Sequence, residues 1–150
     1  MKLDDGTRTP KILGYLGLIP FIVPASLMYF DDQHHFAFWG YVLMSYGALI
    51  LTFVGALQWA FAMTLSDLSM RQRKWMYGWS VVPSLVAWGA MLMSPMVAFL
   101  LIAIFMAFAL WMDAQLGRLV SLPNWYLPLR IRLTIVAILS LTGALFLNFR

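Results

Sequence analysis

Five runs of mostly apolar residues, at 12–30, 38–64, 75–94, 96–114 and 129–148, occupy most of this 150-residue chain. A helix needs about 20 such residues to cross the hydrocarbon of a bilayer. In lipid, only helices and closed barrels satisfy their own backbone polar groups. The runs therefore predict an all-α fold, an integral membrane bundle of five transmembrane helices in a single domain over residues 1–150. With 63% hydrophobic residues, 11% charged residues and a mean hydropathy of +0.82, the chain has too few polar groups to cover a water-soluble surface. The run at 12–30 is longer than the apolar stretch of a secretory signal and lacks a clean small-residue cleavage site, so it reads as a retained first span.

Orientation follows from the cations. Lys2, Arg8 and Lys11 precede the first run, Arg71, Arg73 and Lys74 separate the second from the third, and Arg118, Arg130 and Arg132 fall between the fourth and the fifth. Only Arg150 stands at the other end. By the positive-inside rule the N-terminus is expected in the cytoplasm and the C-terminus outside. The net charge of +4 then serves topology and attraction to lipid headgroups, with no call for nucleic acid. Trp39 and Tyr41 on one side, with Trp75, Trp111, Trp125 and Tyr126 on the other, fit two interfacial belts.

Reactive chemistry has little to draw on. Cysteine and glutamate are absent, and the six acids are all aspartates. Asp31, Asp32, His34 and His35 crowd into DDQHHF, but four ligands in five residues do not close easily around one ion, so the loop reads as a hydrated turn. No nucleotide loop, nucleophile elbow or haem-attachment motif is present. No catalytic residue, cofactor or metal is assigned.

Asp113 ends the fourth run, while Arg130 and Arg132 open the fifth on the same side of the membrane. An unpaired ion at mid-bilayer costs at least ~2.5 kcal/mol, and less near the boundary. A bridge from Asp113 to Arg130 or Arg132 would offset that cost and clamp two helices. A proton-relay or anion-binding role is the functional alternative.

Pro20 and Pro24 fall inside the first run and Pro83 inside the third, each releasing a carbonyl four residues back. Ser80 or Ser84 is a candidate partner for the carbonyl of Trp79. Midplane breaks also mark transporter binding sites. In the second run Gly40, Met44, Gly47, Leu51, Gly55, Gln58 and Ala62 share one helix face, which places this helix at the bundle centre and turns Gln58 into protein. Gln58 is expected to bond a neighbouring helix, at a carbonyl freed by Pro83. A candidate ligand pocket combines it with Tyr46, Trp59, Trp79, Pro83, Ser84 and Trp88.

GYLGLIPF, SYGALILTFVGALQW, WSVVPSLVAW and PNWYLPLRIRLT together resemble the transmembrane protein 69-like family labelled domain of unknown function 3429. The resemblance covers nearly the whole chain. It implies a small multi-pass membrane protein, in the cytoplasmic (inner) membrane if the source is bacterial, and it brings no activity and no site residues. Its members often carry a His-Trp pair where this chain has Gln58-Trp59, a departure that argues against a histidine-ligated cofactor there. The expected role is that of a non-enzymatic interaction or assembly partner among membrane lipids, a membrane-protein partner or a homo-oligomer. The alternatives are a binder or carrier of a small hydrophobic ligand (tetrapyrrole, quinone or lipid) and a minimal transporter.

Overall fold

The computed structural model describes residues 6–30 and 35–147. They form α1 (Arg8–Leu16), α2 (Ile19–Phe30), α3 (Phe36–Thr64), α4 (Met70–Met91), α5 (Pro95–Leu119) and α6 (Tyr126–Leu147), with no strand among them. Helices α1 and α2 are one rod interrupted at Gly17-Leu18, so six helical segments make five rods. The metal-ligand candidates Asp31, Asp32 and His34 lie outside the described residues. Among the described residues no three His, Cys, Asp or Glu side chains are grouped to hold a metal.

The interruption has a local cause. Pro20 is the second residue of α2, where its ring removes a donor and crowds the carbonyl of Leu16. The N–H groups of both Phe21 and Ile22 turn to the carbonyl of Leu18. The carbonyl of Gly17 is left without a helical partner and accepts from the Tyr46 hydroxyl of α3 at 2.8 Å. Tyr46 is therefore occupied in repairing a helix break. Pro24 and Pro83, by contrast, stay inside continuous helices. Ser80 donates to the carbonyl of Tyr77 at 2.7 Å, two residues before the expected acceptor at Trp79.

Contacts along α3 fix the order of the bundle. Gly40 faces Phe99, Gly47 faces Ile102 and Gln58 bonds Asp113, so α3 and α5 run parallel. Gly55 faces Pro83, and Arg73 reaches back to the carbonyls of Ala62 and Leu65 at 2.7 and 2.8 Å, so α4 runs antiparallel between them. The rod Arg8–Phe30 and helices α3, α5 and α6 are each long and apolar enough to cross a membrane. Helix α4 is long enough but less apolar, diluted by Trp75, Gly78, Trp79, Ser80, Ser84, Trp88 and Gly89. Its return path is set by its neighbours: two parallel spans joined through one helix oblige that helix to recross. Leu49, Leu85 and Leu139 are more than half exposed on the bundle exterior, as lipid-facing residues are.

The turns are chemically plain. Ser69 and Gln72 form a reciprocal capping box at the start of α4. Ser94 takes the capping conformation before Pro95, but its side chain makes no cap bond. All seven residues of the small-residue face on α3 are buried. Leu43, Leu51, Phe99, Ile102 and Leu141 fill the centre around it. Helix α1 buries none of its residues.

At Gly55 a Cβ would stand 2.8 Å from the Pro83 ring and 3.0 Å from the Ser80 carbonyl. Backbone and a rigid ring cannot step aside. Gly55→Ala should therefore destabilise by about 1–3 kcal/mol. At Gly78 a Cβ meets nothing within 4 Å, so Gly78→Ala should be neutral or stabilise by up to ~1 kcal/mol through helix propensity. Unfolding in mixed micelles checks both; equal effects would contradict the packing at Gly55.

Candidate functional site

Three helices each send one polar residue from a buried stripe to a common point. On α5, Ala109, Asp113 and Leu116 recur at helical spacing on the inward face, and Asp113 is fully buried. On α3, Gln58 continues the small-residue face and is 2% exposed. On α6, Tyr126, Arg130 and Thr134 follow at four-residue steps on one side. Arg130 donates from Nε to Asp113 Oδ2 at 2.7 Å, and Gln58 donates from Nε2 to Asp113 Oδ1 at 2.8 Å. Both carboxylate oxygens thus have donors, one charged and one neutral. Taking the ions out of water is expensive, and only saturated partners of this kind offset it.

Arg132 does not join the cluster. Two residues on from Arg130 it points to a different side of the helix, and its Nη1 donates to the Tyr15 hydroxyl of α1 at 3.1 Å. Gln58 likewise bonds the carboxylate and leaves the Pro83 region alone. The sequence places these groups in two separate candidate sites, and the fold makes them one.

Two buried polar atoms beside the cluster take no hydrogen bond. With its amide nitrogen committed to Asp113, Gln58 leaves Oε1 without a donor. The Tyr126 hydroxyl sits beside Asp113 and Arg130 yet is also unpartnered. Each such group costs roughly 1–3 kcal/mol, so both mark places where a further molecule would be welcome. Their residues line different spaces. Tyr126, Arg130 and Thr134 line a cavity of about 420 Å³ between α1, α2, α3 and α6, whose remaining wall is apolar and includes Leu13, Phe21, Val54, Leu57, Leu133 and Ala137. Gln58 lines a second cavity of about 430 Å³ between α3, α4 and α5. Both volumes lie in the range of small-molecule sites.

The seven residues of the expected pocket do not converge. Trp59 and Trp88 turn outward, 47% and 67% exposed, because they fall off the small-residue faces that draw α3 and α4 together. Pro83 closes against Gly55, Tyr46 holds Gly17, and Ser84 is half-buried on α4. Trp79 stacks on Trp75 at 6.2 Å and meets Phe108 edge-on at 4.7 Å. Only Gln58 of the seven lines either of these two cavities. The four-residue steps from Tyr126 to Thr134 could have disclosed the α6 wall; Trp75 and Trp111 carried no signal beyond their interfacial position.

The family model described as Protein of unknown function (DUF3429) matches residues 6–146. The chain belongs to the DUF3429 family. Among curated relatives of this DUF3429 protein, Transmembrane protein 69 of Xenopus tropicalis is 33% identical over 144 residues, covering 95% of this chain and 56% of that protein. Transmembrane protein 69 of Mus musculus is 30% identical over 146 residues, covering 97% and 59%. The chain thus spans less than three-fifths of the length of these relatives. No solved structure matches it. Family and helices together make it a multi-pass membrane protein of a family without a described function.

Removing one partner of a buried ion pair costs about 3–5 kcal/mol, whereas replacing both with apolar groups is close to neutral. Asp113→Leu and Arg130→Met should each destabilise by that order, and the double variant by clearly less than either. A double-mutant cycle read by denaturant unfolding in micelles checks this. Additive losses would show that the two side chains act independently.

Proposed function

We propose that this DUF3429 protein is a non-enzymatic membrane protein that holds an amphipathic lipid in the cavity bounded by α1, α2, α3 and α6. The observation that carries the reading is the grouping of the cavity's charged guanidinium, phenol and indole at one end of a length that is otherwise apolar but for the Thr134 hydroxyl. From Tyr126 to Ala137 the α6 wall extends about 16 Å along the helix axis, a length suited to a hydrocarbon tail. Along it the lining is aliphatic and aromatic apart from Thr134 and the glycines Gly14 and Gly17. At its basic end stand the Arg130 guanidinium, the Tyr126 hydroxyl and the indole of Trp125.

The head chemistry follows from those groups. Arg130 spends Nε on Asp113, and among the described residues its terminal nitrogens make no hydrogen bond. Tyr126 adds a hydroxyl able to donate or accept. A head with exposed oxygens, phosphate or carbonyl, satisfies both. Asp113 remains the counter-ion that keeps Arg130 in position, so the lipid need not neutralise a whole charge. The basic end of the bundle, which also carries Arg71, Arg73, Lys74 and Arg118, is assigned to the cytoplasmic face by the positive-inside rule.

Native mass spectrometry of the protein extracted gently from its own membranes, with analysis of the released lipid, provides the test. The unaltered protein should carry one amphiphile per chain through desolvation. Leu57→Trp places a ring in the half-buried wall and should lower occupancy about tenfold, the equivalent of ~1.4 kcal/mol. Tyr126→Phe should lower occupancy without lowering the unfolding midpoint, since the lost hydroxyl makes no bond within the protein. A chain that emerges bare, or three proteins retaining the same lipid equally, would overturn the assignment.

A further inference from the structure

The second cavity has a different character and stands independently of the lipid slot. It opens between α4 and α5 at the basic end. Its walls include Met76, Met112 and Leu116, and Trp75 and Trp111 stand at its rim, each about half exposed. Those two indoles belong to a run of four rings. Trp75 stacks on Trp79 at 12° between planes, Trp79 meets Phe108 at 4.7 Å, and Phe108 meets Trp111 at 5.1 Å. The run bridges two helices and holds its end members in place, so the rim is set before any ligand arrives. Aromatic faces arranged in this way favour another ring, stacked or edge-on.

Deeper in the wall is Gln58, 98% buried as its 2% exposure states. Its amide orientation is not free to reverse, because the nitrogen must face the Asp113 carboxylate. Oε1 consequently has no donor. Of all hydrogen-bonding groups, only a donor can satisfy it. The adjoining wall of Met76 and Met112 consists of unbranched side chains that repack at little cost. Arg71, Gln72 and Gln115 supply a polar mouth.

We propose that the cavity between α3, α4 and α5 is a binding site for a flat aromatic molecule bearing a hydroxyl, whose ring lies between Trp75 and Trp111 and whose hydroxyl donates to Gln58 Oε1. The ring supplies most of the contact area, and the hydroxyl supplies selection against otherwise similar rings, because an analogue without a donor leaves the oxygen unsatisfied.

The test is equilibrium dialysis of the full chain in lipid nanodiscs against empty nanodiscs of the same lipid, using 1-naphthol and 1-methoxynaphthalene as probes. The ring is shared, and only the naphthol carries a donor. Saturable uptake of 1-naphthol above the empty-disc level is expected, with 1-methoxynaphthalene weaker by about tenfold, the ~1.4 kcal/mol of one hydrogen bond. Gln58→Leu should bring the two probes together. Should that variant not fold, Gln115→Trp, at a half-buried position in the mouth, leaves the Gln58–Asp113 bond intact and should abolish saturable uptake of both. Equal uptake of the two probes by the unaltered protein, uptake no greater than that of empty discs, or a preference that survives Gln58→Leu or Gln115→Trp would each overturn the proposal. The lipid cavity shares no wall residue with this one, and because both sites lean on Asp113, it is Gln115→Trp, which leaves that carboxylate's bonds intact, that keeps the two readings apart.

Discussion

A carboxylate with no exposed surface, in a chain this apolar, dictates what surrounds it. Asp113 must have donors on both oxygens, and they come from α3 and α6. That requirement ties three helices at one level and fixes their rotation, since Gln58 and Arg130 reach it only if their own buried stripes face inward. Burial of leucines and methionines supplies attraction without direction. The ionic bond selects one rotation among many that would bury comparable area.

Close packing does the complementary work at the other levels. On α3, glycine recurs where Phe99, Ile102, Leu141 and Pro83 come near. At Gly55 the helices meet so closely that no side chain fits. This contact also explains why Pro83 is tolerated within α4: its ring is received by the gap that a glycine leaves. Proline and glycine here form a complementary pair, and the helix continues through the proline unbroken.

Much of the fold was readable because lipid imposes simple rules. Runs of about 20 apolar residues located the rods, and the three- and four-residue steps from Gly40 to Ala62 located the inner face of α3. The weaker apolar character of α4 had to be resolved by neighbours. The site was only half readable. Asp113 and Arg130 stood out as charges at the edge of apolar runs, but a one-dimensional pattern does not say which of Arg130 and Arg132 turns inward. Gln58 was recognisable as buried, while its partner lies 55 positions away. Trp59 and Trp88 looked like pocket walls by residue type alone; their place on the outward faces follows from which stripe packs, a property of helix pairs. The Ser69–Gln72 capping box and the Tyr126–Arg130–Thr134 steps are signals that local spacing does contain.

Helix α1 is built unlike the rest. It buries no side chain of its own and is cut from α2 at Gly17, where the Tyr46 hydroxyl steadies the break, while Arg132 of α6 reaches the Tyr15 hydroxyl. Yet Pro10, Leu13 and Gly14 form one side of the long apolar chamber. One wall of the chamber is thus a helix that buries none of its own residues. For the proposed lipid, the exposed Leu13 and Leu16 make this the side of the chamber nearest the surrounding hydrocarbon, so arrival from the bilayer itself would spare the tail any passage through water.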